Sequence, residues 1–280
     1  MFCESENEKD TIFAAVGDVH GNMDMMVSLL KEMESTTKKE IKFVLQVGDF
    51  EPHRSDEDLS TMAAPAKYRK LGDFHKYYKN EKVFPWPVYF IGGNHEPYGF
   101  LELITCGDEV CHNCYYIGRA NSKEISDLIV SGLSGICRED YYSVARPTVE
   151  EIAVKSNKLY SYFNNDDIEF LLTIKKTDIL MLHEWPSDII RPTDEKEINA
   201  LLQQLNYDGV GNQYSRLLIE FLEPQLVLCG HMHKSYRNQI TTESGKLVNV
   251  CCLSSVKQGK DSVALFSFKN HQNLIEEILL

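Results

Sequence analysis

Five short apolar segments, each followed at once by glycine or histidine, constrain the fold of this 280-residue chain more than any other feature. The first covers residues 11–16, and the others end just before Gly48, Gly92, His183 and Gly230. Apolar runs of this length with such boundaries are typical of buried strands. Stretches with helical spacing of apolar residues separate them. The sequence therefore predicts an α/β architecture of layered strands and helices.

The same pattern predicts the other elements of the chain. Helices are expected at residues 24–34, 65–78, 195–205 and 214–222, and a further strand at 127–136. Residues 246–253 and 262–268 alternate as the two strands of a hairpin would. Since no repeat or flexible linker interrupts the chain, residues 1–280 are expected to form a single domain.

Charge and hydropathy exclude several classes of protein. The net charge is −13, and no run of basic residues is long enough for bulk attachment to nucleic acid. A nucleic-acid substrate would need a local patch or bound metal cations. No stretch approaches the length of a membrane span, and the polar start MFCESENEKD lacks the features of a secretory signal. We therefore expect a cytoplasmic protein without a membrane partner, or a nuclear one if the host is a eukaryote with introns.

The cysteines offer an alternative metal site. Cys111 and Cys114 are spaced as in a zinc knuckle, with His112 and Cys106 nearby. A structural zinc site normally needs a second matched pair, and none follows at a usual spacing. In an intracellular protein, free thiols are the favoured interpretation.

Polar side chains that follow the apolar segments suit divalent metals. These candidate ligands are Asp18, His20, Asp49, Asn94, His183, His231 and His233. In open α/β folds the carboxyl ends of the strands meet at one edge, where ligands bind. Any one of these residues alone could serve as a turn or helix cap. Together, mixed oxygen and imidazole ligands suit two ions of Mn, Fe or Zn.

The segments GDVHG, GDF, GGNHE, LHEW and GHMH, between residues 17 and 233, resemble the calcineurin-like metallophosphoesterase superfamily. The resemblance implies layered sheets flanked by helices, with the metal site at the strand carboxyl ends. Its ligand assignments place Asp18, His20 and His233 on one ion, Asn94, His183 and His231 on the other, and Asp49 between them. The resemblance also implies a catalytic His95 beside the phosphate. Asp73 and Glu96 are candidates for orienting the histidines.

Outside the ligands, the chain resembles the RNA lariat debranching enzymes. The similar stretches are the one leading into GGNHEP, and NCYYIGR, GLSGI, HEWP and GHMHKSY. A tyrosine-rich insertion at residues 137–162 falls where that family carries its recognition loop. Candidate substrate-binding residues are Arg54, Arg138, Tyr141, Tyr142 and Arg146. One departure is Asp18, since the debranching enzymes typically have cysteine at this position.

We therefore expect a two-metal phosphodiesterase that acts on RNA or a nucleotide, and in the sharpest version on the 2′,5′ bond of branched RNA. The acidic chain favours recognition of a short local feature, and the tyrosines of the insertion could stack on unpaired bases. A general phosphomonoesterase or nucleotide phosphatase is an alternative with the same metal ligands. A non-catalytic scaffold of this fold is a further alternative. The sequence does not define the oligomeric state.

Overall fold

The computed structural model describes residues 10–66, 69–151, 157–205 and 209–279. Its strands are β1 Thr11–Val16, β2 Phe43–Gln46, β3 Val88–Phe90, β4 Glu109–Cys111, β5 Cys114–Tyr116, β6 Ala120–Ile125, β7 Leu128–Leu133, β8 Ile179–Leu182, β9 Leu226–Cys229, β10 Tyr236–Thr241, β11 Leu247–Cys252, β12 Val263–Lys269 and β13 Leu274–Ile278. Its helices are α1 Met23–Thr37, α2 Phe74–Tyr78, α3 Tyr98–Leu101, α4 Glu139–Tyr142, α5 Asn165–Leu172, α6 Glu195–Leu205 and α7 Gln213–Leu222. Within these ranges, no helix is both long and apolar enough to cross a membrane.

The strands form two sheets. One sheet has the order β13-β12-β1-β2-β3-β5-β4, and the other has the order β10-β11-β9-β8-β7-β6. At the centre of the first sheet, β1, β2 and β3 run parallel. At the centre of the second, β7, β8 and β9 do so. Because parallel strands end at the same edge, the loops after β1, β2 and β3 emerge together, and so do those after β8 and β9.

The two sheets pack face to face, and helices cover their outer faces. Successive side chains of a strand point to opposite sides, so Phe13 of β1 joins the cluster between the sheets while Ala14 faces α1. Phe13 stacks on Phe43 and Phe266 at ring-centroid distances of 5.1 and 5.2 Å. Each buried aromatic side chain contributes roughly 1.5–3 kcal/mol of transfer free energy. The resulting α/β/β/α layers are the expected fold class.

The structure bears out most of the predicted elements and corrects two. The helices expected at residues 24–34, 195–205 and 214–222 correspond to α1, α6 and α7. The prediction of a helix at residues 65–78 is wrong for most of the described residues, since only α2 is helical there. Residues 67–68 lie outside the described residues. Gly72 breaks the predicted helix, with a left-handed φ of 66° that brings the chain against Gly21. The hairpin expected at 246–268 is also wrong. There β11 pairs with β9 and β10, whereas β12 joins the other sheet, beside β1 and β13.

Candidate metal centre

The candidate ligands all lie in loops that directly follow strands. Asp18 and His20 follow β1, Asp49 follows β2, and Asn94 follows β3. In the second sheet, His183 follows β8, and His231 and His233 follow β9. Within three groups of these residues and His95, the possible ligand atoms lie within 4.8 Å of one another. The packing of the two sheets therefore brings together side chains that are far apart in the sequence.

Glycines before the ligands allow this close approach. A Cβ atom on Gly48 would lie 2.4 Å from the Nδ1 atom of His183. A Cβ atom on Gly230 would lie 2.3 Å from the Oδ1 atom of Asp18. Neither distance is compatible with a larger residue. The glycines of the motifs thus let ligand side chains from one sheet contact the backbone of the other.

Several candidate ligands have a strained backbone conformation. His20, Asp49, His231 and His233 have φ values of 49°, 50°, 68° and 51°, in the left-handed region that residues other than glycine seldom adopt. Each such residue costs roughly 1–3 kcal/mol and persists only where its surroundings hold it. Strain of this kind clusters at functional sites, which supports a functional role for these loops.

Asp18, His20 and His233 form one group of converging ligand atoms. The Nε2 atoms of His20 and His233 are 2.9 Å apart, and the Nε2 atom of His233 lies 3.0 Å from the Oδ2 atom of Asp18. That oxygen is buried and has no hydrogen bond of acceptable geometry. Imidazole nitrogens and carboxylate oxygens that converge at such distances, without enough hydrogen atoms to form hydrogen bonds between them, are typical of a cation site. The residues present therefore fit a divalent metal.

His183, Asn94 and Asp49 form a second group beside the first. The Nε2 atom of His183 lies 3.2 Å from the Oδ1 atom of Asn94 and 3.5 Å from the Oδ1 atom of Asp49. The Nδ1 atom of His183 lies 2.8 Å from the carbonyl oxygen of Val47, which fixes the ring. The ring of His231 lies 5.0 Å from that of His183. Asp49 also lies 3.9 Å from His20, so its carboxylate faces both groups.

Burial and neighbouring charges shift the pKa values of three candidate ligand histidines. Burial lowers the pKa of His20, but its hydrogen bond to Glu51 and the charges of nearby aspartates outweigh burial and raise the pKa to about 9. Burial also lowers the pKa of His183, but the charge of Asp49 and a hydrogen bond to it raise the pKa to about 10. Burial and the charge of His183 lower the pKa of His231 to about 3. The carboxylates around His20 and His183 thus favour a positive charge at this edge of the sheets.

His95 lies at the open side of the centre. Its backbone N–H donates to the Oδ1 atom of Asp49 at 2.8 Å. Its side chain is 24% exposed, whereas those of Asp18 and Asp49 are buried. Its ring lies 5.3 Å from the ring of His20. His95 can therefore reach both the centre and a molecule that approaches from solvent.

The residue that orients the candidate ligand His20 is Glu51, which was not among the predicted site residues. Its Oε1 atom lies 2.8 Å from the Nδ1 atom of His20 and 3.7 Å from the Nδ1 atom of His95. The expectation for Asp73 and Glu96 is corrected. Asp73 accepts the N–H groups of Met23 and Asp24 at the start of α1.

Glu96 has a different structural role from the one expected. It accepts the N–H groups of Phe50, Glu51 and Gly93, and neither carboxylate oxygen contacts a histidine. Burial raises its pKa to about 8, in spite of these three donors. Glu96 therefore ties the loop after β2 to the loop after β3, and it orients backbone instead of imidazole rings.

The candidate substrate-binding residues lie in different surroundings. Arg54 forms an ion pair with Asp58 at 2.8 Å and lies 3.7 Å from the ring centre of Phe100, and Arg146 pairs with Asp167. Both guanidinium groups are thus occupied within the chain.

Three further candidates belong to the first part of the 137–162 insertion, of which residues 152–156 lie outside the description. Tyr142 stacks on Tyr214 at 3.7 Å, and Tyr141 is 40% exposed. Arg138 makes no ion pair with any described residue and borders a cavity beside His231. Of the basic candidates, Arg138 is the one best placed to meet a ligand.

The cysteines are separate from this centre. The groups of described residues that could hold a metal contain no cysteine. Cys111 and Cys114 face each other across the β4–β5 pair as free thiols, and Cys3 lies outside the described residues. Burial raises the pKa of Cys114 well above its ordinary value. The zinc-knuckle alternative thus finds no complete ligand set in the described chain.

The fold agrees with the comparison of this sequence with known families. The sequence profile described as calcineurin-like phosphoesterase matches residues 12–235. This chain belongs to that family, whose members depend on metal ions. One crystal structure superimposes with a TM-score of 0.55 at 11% identity, over 96% of this chain and 99% of the other. That likeness concerns the fold alone.

Several curated relatives are called lariat debranching enzyme. The relative from Entamoeba histolytica is 34% identical over 230 residues, which cover 80% of this chain and 64% of that protein. The relative from Saccharomyces cerevisiae is 30% identical over 238 residues, covering 81% and 58%. The relative from Arabidopsis thaliana is 27% identical over 275 residues, covering 94% and 64%. The chain thus spans less than two thirds of the length of these relatives.

Proposed function

We propose that this protein is a metal-dependent phosphodiesterase that hydrolyses the 2′,5′ bond of branched RNA. The convergence of buried carboxylates and imidazoles at one edge of the two sheets carries the metal-dependent part of this proposal. The name shared by the curated relatives supports the branched substrate. The net charge of −13 favours a substrate recognised at one point over a long duplex.

The side chains have separate roles in this proposal. Asp18, His20 and His233 would hold one ion, Asn94, His183 and His231 would hold the other, and Asp49 would lie between them. The mixed oxygen and nitrogen ligands suit Mn²⁺, Fe²⁺ or Zn²⁺. Bound divalent ions would supply a nucleophilic water at neutral pH and neutralise charge on the phosphate oxygens.

His95 is the proposed catalytic acid. Its side chain is partly exposed above the centre, and its backbone is held by Asp49. From this position an imidazolium N–H would donate a hydrogen bond to the phosphate and then its proton to the leaving oxygen. General acid catalysis of this kind contributes roughly 10²- to 10⁴-fold to a rate. Glu51 lies near enough to the ring to limit its rotation.

A cleavage assay tests the proposal. Mn²⁺-loaded protein is incubated with a 2′,5′-branched oligonucleotide, a linear 3′,5′ strand and a phosphomonoester. We expect selective loss of the branch, and in the His95→Ala variant a fall of about 10²- to 10⁴-fold in turnover with unchanged metal content. Turnover of the monoester without cleavage of the branch would refute the branched substrate, and no hydrolysis of any substrate by metal-loaded protein would refute the enzymatic role.

A further inference from the structure

A cavity of about 370 Å³ lies beside the metal centre and has no role in the mechanism above. Its walls include Arg138, Tyr162, Glu184, Trp185, Gly211 and His231. Its volume is within the range of sites for small molecules. Because His231 belongs to both the candidate metal centre and this wall, a group in the cavity would be next to a phosphate at the metals.

Glu184 is held in the wall with one oxygen left for a ligand. Its Oε2 atom accepts the N–H of Cys137 at 2.8 Å and the side-chain amide of Asn212 at 2.7 Å. Its Oε1 atom receives no hydrogen bond from the described residues, and Glu184 lines the cavity. The two bonds to Oε2 fix the carboxylate, so Oε1 is a preorganised acceptor at the cavity wall.

Two other residues of the wall suit a flat ring attached to a phosphate. Tyr162 stacks on Tyr141 at 5.4 Å and also borders a smaller cavity of about 110 Å³. Tyrosine rings of this kind are platforms on which unpaired bases stack. Arg138, which makes no ion pair with any described residue, adds a cation that suits a phosphate. The cavity thus combines an aromatic surface, an acceptor and a cation.

We propose that this cavity binds one nucleobase of the substrate and that the Oε1 atom of Glu184 favours bases with an exocyclic amino group. Cytosine, adenine and guanine each donate N–H groups from such an amino group to a carboxylate. Uracil presents two carbonyl oxygens beside its single ring N–H, and these oxygens face the negative charge of Glu184. The inference rests on the proposed function, since it assumes that a nucleotide occupies the metal centre.

Calorimetric titration of Mn²⁺-loaded protein with CMP and UMP tests the inference, because the two bases have rings of equal size. We expect CMP to bind at least about tenfold more tightly than UMP, as for a hydrogen bond to a charged group. In Glu184→Gln, the amide oxygen keeps the bonds to Cys137 and Asn212 and its NH₂ group faces the cavity. The variant then offers a hydrogen-bond donor where the wild type offers an acceptor. The affinity for CMP divided by the affinity for UMP should therefore fall to one or below.

Glu169→Gln is the matched control, because it removes the same charge from an exposed position on α5. It should leave the ratio as in the wild type. Equal affinities for CMP and UMP in the wild type, a ratio that Glu184→Gln does not change, or no binding of either nucleotide would overturn the inference. Failure to cleave the branched oligonucleotide alongside an intact CMP preference would count against the proposed function and not against the cavity.

Discussion

The contact between Glu51 and His20 leads to a quantitative prediction about metal affinity. Glu51 is only 4% exposed, and its Oε1 atom lies 2.8 Å from the Nδ1 atom of His20. The Nε2 atom of the same ring points towards His233 and Asp18. A carboxylate on one ring nitrogen fixes the tautomer and the direction of the other, and it raises the basicity of the ligand. Replacing Glu51 should therefore weaken metal binding without removing a ligand.

The expected magnitude follows from the bond that is lost. Removing such a partner of a metal-binding histidine typically costs 10- to 100-fold in affinity, which equals about 1.4–2.7 kcal/mol. Glu51→Gln keeps a carbonyl oxygen within reach of His20 and loses only the charge, so its effect should be near tenfold. Glu51→Ala loses the bond as well and leaves a buried N–H without an acceptor, so its effect should be nearer 100-fold.

Competition with a chromophoric chelator for Mn²⁺ gives these affinities directly. Asp58→Asn is the matched control, because Asp58 is a buried acid of the same loop that pairs with Arg54 and contacts no ligand histidine. Its metal affinity should stay within about twofold of the wild type. The reasoning is wrong if both Glu51 variants bind Mn²⁺ as the wild type does, or if Asp58→Asn weakens binding as much as Glu51→Gln.

Two further predictions concern protons and the loops. The pKa of His20 is raised to about 9 and that of His183 to about 10, so their protonated forms stabilise the metal-free fold. This stabilisation is fully present below pH 6.5, the ordinary pKa of histidine, and it is lost as the pH rises through 9 to 10. Metal binding must displace these protons, so the affinity for Mn²⁺ should increase from pH 7 to 9, by up to about 100-fold per pH unit. Chelator competition measures this affinity, and an affinity that does not change with pH would contradict the prediction. Glu96→Ala leaves three buried N–H groups without their acceptor. In urea titrations this variant should lower the free energy of unfolding by at least about 3 kcal/mol. Glu96→Gln keeps an acceptor oxygen and should lower the free energy of unfolding by less. Equal losses in the two variants would contradict the assigned role.

The sequence was sufficient for eight of the thirteen strands of the described residues, because these strands depend on local signals. An apolar run bounded by glycine marks a buried strand, and parallel strands deliver the next residues to one edge. Asp18, Asp49 and His183 were identifiable in this way. The helix expected at residues 65–78 failed because its apolar spacing was a weaker constraint than the contact between Gly72 and Gly21. A contact between residues that far apart leaves no local pattern.

Glu51 was missed for a related reason. It has a φ of 57°, and this left-handed turn directs its side chain to His20, which lies 31 positions earlier. Nothing in the spacing of the GDF motif specifies that direction. The available signal was an acidic residue two positions after a ligand, in a loop already assigned to the site. Loops of this kind therefore need each of their carboxylates tested as a partner of the ligand histidines.

The strained loops also connect metal binding with stability. Four candidate ligands with left-handed backbones, at roughly 1–3 kcal/mol each, represent about 4–12 kcal/mol of strain. A whole domain has a net stability of only about 5–15 kcal/mol. A positive charge on His20 and His183 would offset the repulsion between Asp18 and Asp49. The core between the sheets must therefore help to hold these loops in place, which is the preorganisation that a metal centre requires.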